Sequence, residues 1–190
     1  MIPVDARAVL LDDAGQPPLR SILGGALSRC TDAAFAIRRV RLAGIDLTAA
    51  ELGPLQSCRV LVGRLDADAL HDLPSAHDTR APALERLLRF AGSGRLAVRS
   101  APQRGWSPDF SVLRGPTANE TSPQPDLCFV GAHYFYEPDP PDGPAFTAMF
   151  DNAATVALAQ RRFDDLWDGA YDVLPAVSHA LERLLAVASP

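Results

Sequence analysis

Residues 34–63, AFAIRRVRLAGIDLTAAELGPLQSCRVLVG, hold two short apolar runs on either side of a helical turn. The first, AFAIRRVRL (Ala34 to Leu42), is rich in β-branched and aromatic residues and reads as a strand. The second, CRVLVG, is too short for a helix and apolar at almost every position, the pattern of a strand buried on both faces. Between them, Thr48 to Leu52 suits one helical turn. Strand, helix and strand in succession call for a sheet covered by helices.

The same alternation continues in both directions. Upstream lies a short apolar segment, Ala8 to Leu11, followed by Leu19, Ile22, Leu23, Ala26 and Leu27 at helical spacing. Downstream, LDADALHDLPSAHDTRAP is polar and proline-punctuated, a surface loop. Pro82 suits the first turn of the next helix, where its missing N–H costs nothing. Leu84, Leu87, Leu88 and Ala91 form that helix's apolar face, and Gly92-Ser93-Gly94 ends it. Strands are expected at 95–100, 110–113, 127–135 and 145–150. Asp151 or Asn152 can cap a helix with Val156, Ala159, Phe163, Leu166 and Trp167 on one face. A final amphipathic helix runs over about 173–187. The expectation is a single α/β domain spanning 1–190, with a mixed or parallel central sheet flanked by helices on both faces.

Composition narrows the chemistry. All 18 basic residues are arginine, so mechanisms that need lysine, such as a P-loop, a Schiff base or a lysine phosphate clamp, are excluded. The net charge of −5 offers no general positive field, and direct nucleic-acid binding is not expected. Cys30, Cys58 and Cys128 are odd in number and widely spaced, which suits reduced thiols packed as small hydrophobes. No segment approaches a membrane span and no secretory leader is evident at Met1, so a cytoplasmic location without membrane contact is expected.

Three segments carry a resemblance to a known family. FAIRRVRLAGIDL is similar to the first core strand of phospholipase D-like domains, running into a glycine-containing turn. LERLLRFAGSGRLAVR resembles the helix that feeds a strand, and FDNAATVALAQRRFDDLWDGA resembles the closing strand-to-helix segment. The likeness covers roughly residues 18–170. It implies a phospholipase D-like fold and, since single domains of this kind commonly pair, a homodimer.

Active members of that family carry His-x-Lys-x4-Asp at the start of a strand and a Gly-Ser-x-Asn-like turn on the next. The matching segment here is WSPDFSVLRG, which sets Ser107, Asp109 and Arg114 at the histidine, lysine and aspartate positions. In FVGAHYF, Gly131 is kept, while Ala132 and Tyr134 stand where the hydroxyl and amide belong. In the family, one histidine attacks phosphorus, a second protonates the leaving oxygen, and lysines neutralise the phosphoryl oxygens. Serine has no imidazole lone pair, and an aspartate would repel a phosphate. The resemblance therefore implies a catalytically degenerate member, without metal or cofactor. It would act as a dimeric binding or assembly module, with a protein partner in a nucleic-acid-processing or regulatory complex.

Two alternatives stay open: a sensor of a small anionic or phosphorylated ligand in the vestigial cleft, and an enzyme with a rearranged site. For the sensor, Arg114 with Arg38 or Arg39 would line an anion pocket, and Trp106 would add a stacking surface. The plain reading of Arg38, Arg39 and Arg41 is an exposed strand face pairing with carboxylates, and that of Trp106 is core. His71 and His77, with Asp72 and Asp78, match no strong metal-ligand spacing and read as a solvated loop. His133 reads as structural, and Ser107 lacks the sequence context of a nucleophile.

Overall fold

The computed structural model describes residues 8–12, 19–39, 47–64, 81–101, 109–116, 126–131 and 146–188. Eight strands join one mixed sheet: β1 (Ala8–Asp12), β2 (Asp32–Arg39), β3 (Ser57–Arg64), β4 (Leu96–Ser100), β5 (Phe110–Arg114), β6 (Leu127–Val130), β7 (Phe146–Phe150) and β8 (Tyr171–Asp172). Their spatial order is β1-β7-β6-β5-β2-β3-β4-β8. β2, β3 and β4 run parallel, whereas β5 lies antiparallel to β2, and the meander β5-β6-β7-β1 is antiparallel throughout. The strand at residues 8–12 and the two-residue β8, which pairs Arg99 with Asp172, close the edges.

Alternation along each strand divides the side chains between two cores. Ala33, Phe35 and Ile37 of β2, with Leu113, Phe129 and Val98, enter the larger one. It is covered by α1 (Leu19–Leu27), α2 (Ala49–Leu52), α3 (Ala81–Gly92) and α5 (Leu174–Ala188). Ala34, Ala36, Leu61, Val112 and Cys128 face the other way and meet Val156 and Phe163 of α4 (Ala153–Asp168). Among the described residues, helices thus lie on both faces, with α1, α2, α3 and α5 on one and α4 on the other.

Local chemistry explains several boundaries. Thr48 caps α2 in a reciprocal capping box, its hydroxyl accepting Glu51 N–H at 3.3 Å while the Glu51 carboxylate accepts Thr48 N–H at 2.6 Å. Glu51 is 4% exposed and is held by the Arg20 guanidinium of α1, with Nη2 donating at 3.0 Å, so the buried charge is paired. Of the two candidate caps for α4, Asn152 takes the role, its Oδ1 accepting Thr155 N–H at 2.8 Å. Gly94, at φ +75°, makes the turn from α3 into β4 that a Cβ would strain.

α4 is anchored by stacking. Phe163 is fully buried and stacks on Trp167 at 5.5 Å between centroids. The Arg99 guanidinium lies 4.7 Å from the Trp167 ring and donates to Trp167 O, while Arg59 lies 4.9 Å from Phe163 and 5.7 Å from Trp167. Two arginines of the sheet therefore grip the C-terminal half of this helix. No helix among the described residues is long and apolar enough to cross a membrane.

Candidate functional site

The two ends of β5 carry the residues that matter, and they differ in kind. At its head, Asp109 is 2% exposed. Its carbonyl accepts the N–H of Gly131 at 2.7 Å, and Gly131 sits at φ +94°, a left-handed geometry that suits glycine. This pair joins the start of β5 to the end of β6, beside the C-terminal end of β2. Ser107, Ala132, Tyr134, Trp106, His71, His77 and His133 lie outside the described residues. Arg38 and Arg39 are placed by their backbone at the end of β2, where Arg39 is opposite Arg64.

Arg114 stands at the other end. Because β5 is antiparallel to β2, its last residue pairs with the first residue of β2, Asp32. Arg38 and Arg39 are six and seven residues further along β2, roughly 20 Å away at a strand's rise. The expectation that Arg114 shares a cleft with Arg38 or Arg39 is therefore corrected: strand direction puts them at opposite ends of the sheet. Asp109 and Arg114 are likewise apart, since five residues of strand hold them about 17 Å from one another. Arg114 instead meets Asp126, with Nε 3.8 Å from Oδ2.

Around Arg114 lies a polar cleft of about 710 Å³, at the N-terminal ends of β2 and β3. Its floor is Ala34 and Val112, small side chains on the face that α4 only partly covers. Asp32, Arg114 and Asp126 form one rim; Arg59 and Gln160 form the opposite wall. The wall is fixed: Arg59 donates to Asp164 Oδ1 at 3.0 Å, and Gln160 Nε2 donates to the same oxygen at 2.9 Å. The rim is looser. Asp126 accepts Gly115 N–H at 3.3 Å, and Asp32 accepts the Thr31 hydroxyl at 2.9 Å.

Of these residues the sequence reading singled out Arg114 alone. Arg59 was hidden inside an apolar run, and its signal was a cation in a strand otherwise suited to burial. Asp32 and Asp126 carry no local signal, because cross-strand pairing alone brings them beside Arg114.

The three cysteines are free and buried, and burial pushes each thiol up from 9.0 to about 12. Thiols so disfavoured as thiolates are poor nucleophiles and metal ligands. Among the described residues no group of three or more His, Cys, Asp or Glu could hold a metal ion. His179, exposed on α5, lies 3.9 Å from Glu182.

No protein-family model matches the sequence, and no curated protein matches it. Solved structures do resemble it. Nuc of Salmonella typhimurium, a phospholipase D family member, superposes with a TM-score of 0.52 at 11% identity, over 89% of this chain and 99% of Nuc. NucT from Helicobacter pylori gives 0.52 at 11% identity, over 89% of this chain and all of NucT. Polyphosphate kinase from Porphyromonas gingivalis gives 0.51 at 14% identity, over 85% of this chain, which spans only 26% of the kinase. Identities this low speak to architecture alone, and the mixed eight-stranded sheet between helices is a phospholipase D-like fold.

Proposed function

We propose that the chain is a non-catalytic phospholipase D-like domain that works as a dimeric binding or assembly module. The observation that carries this reading is Asp109: a carboxylate 2% exposed stands at the head of β5, where the resemblance sets the family's phosphate-clamping lysine. An acid there cannot supply the positive charge that a lysine lends to the phosphoryl oxygens, and no lysine elsewhere in the chain takes over that role. The partner is a protein of a nucleic-acid-processing or regulatory complex. A net charge of −5 disfavours direct contact with nucleic acid.

A single copy of a fold that commonly works in pairs leads to a symmetric dimer, with a self-complementary contact burying at least about 1,000 Å². Multi-angle light scattering on the purified chain is expected to return twice the monomer mass across micromolar concentrations. A monomer mass throughout that range removes the dimeric part of the reading.

A further inference from the structure

We propose that the cleft at the N-terminal ends of β2 and β3 binds a small zwitterion, its carboxylate on Arg114 and its ammonium on Asp32. This site lies at the opposite end of the sheet from Asp109 and goes beyond the assembly role.

Asp32 and Arg114 are direct cross-strand partners, so their Cα atoms are about 5 Å apart. Leu113 pairs with Leu127, which sets Asp126 beside Arg114 on its other side. Three strands thus present a row of alternating sign: Asp126, Arg114, Asp32. Opposite charges at such positions normally close on one another. Here Asp32 and Arg114 do not: the only polar side-chain contact of Arg114 among the described residues is the long one to Asp126 through Nε, and Asp32 takes the Thr31 hydroxyl. Among the described residues, the two terminal nitrogens of the Arg114 fork and one oxygen of Asp32 take no hydrogen bond.

The charge balance selects the ligand. A guanidinium fork suits a planar carboxylate or a phosphate equally well. Flanking aspartates do not: on both sides of Arg114 they repel a second negative charge and attract a positive one. A dianionic phosphate is therefore disfavoured, and a molecule with one carboxylate and one ammonium matches the row. Elsewhere in the lining, Arg59 and Gln160 share Asp164, whose carboxylate offsets the Arg59 charge. The volume, about 710 Å³, accepts an amino acid or a short peptide.

Isothermal titration of the full chain with glycine, β-alanine and glycylglycine tests the proposal, with acetate, methylammonium and inorganic phosphate as single-charge and dianion controls. At least one zwitterion is expected to bind saturably and more tightly than any control. Arg114→Gln and Asp32→Asn should each weaken it by about tenfold or more, the loss of one charge-assisted contact. Both positions are at the rim, and an unchanged thermal midpoint will show that the variants are folded. Tighter binding of phosphate, absence of saturable binding by all three zwitterions, or binding indifferent to both substitutions would overturn the proposal. None of these outcomes depends on oligomeric state or on phosphodiester chemistry.

Discussion

The two faces of the sheet are built differently. One receives four helices and a continuous apolar core from Leu23 and Leu27 through Phe129 to Leu181 and Leu184. Among the described residues the other receives α4, and its core gives way to arginines stacked on Trp167 and to the polar cleft. The crowded face supplies stability, while the thinly covered face leaves backbone ends, charges and space for binding. A stability change should accordingly be global when it strikes the first face and local when it strikes the second.

The largest effect is expected from Phe129→Ala, which empties a fully buried site in the crowded core. A loss of about 3–5 kcal/mol of unfolding free energy, seen as a lower denaturant midpoint, follows from the cavity and the lost transfer energy. A loss below 1 kcal/mol, or one confined to local opening, would mean that this face is not the stabilising one. Trp167→Ala should cost less, about 2–3 kcal/mol, because the ring is half-buried and its grip comes partly from Arg59 and Arg99. Hydrogen exchange is the sharper measurement: amides of α4 should exchange faster while those of α3 and α5 keep their protection. Equal acceleration in all three helices would erase the distinction between the faces.

The cysteines sample both cores, Cys30 and Cys58 in one and Cys128 in the other. All three thiols stay protonated in the fold to about pH 12, whereas unfolded thiols ionise near 9.0. The stability this contributes is intact below pH 9 and declines between pH 9 and 12, as the unfolded state loses protons first. A thiol-specific disulfide reagent at pH 8 should find no reactive group in the native protein and three after denaturation. Rapid native labelling of Cys128 alone would show that the α4 face opens readily.

Much of the architecture was legible because it follows from periodicity. The apolar runs expected at 34–42 and 58–63 meet β2 (Asp32–Arg39) and β3 (Ser57–Arg64), with 40–42 outside the described residues; Pro82 stands in the first turn of α3, and the last two amphipathic segments are α4, capped by Asn152, and α5. β8 was missed because two exposed residues pairing with Arg99 and Ser100 leave no pattern in the chain. The cleft was hidden for a deeper reason. Sequence spacing puts Arg114 five residues from Asp109 and says nothing of strand direction. Once β5 turns antiparallel to β2, those five residues become the length of the sheet, and Arg114 joins Asp32 and Asp126 from distant parts of the chain.

The proposed absence of phosphoryl chemistry at the head of β5 is open to a direct test. The direct measurement is turnover of bis-p-nitrophenyl phosphate and of DNA by the purified chain. No hydrolysis above a buffer control is predicted, with wild type and Ser107→Ala indistinguishable. Turnover that persists through repurification and disappears in Ser107→Ala would contradict it.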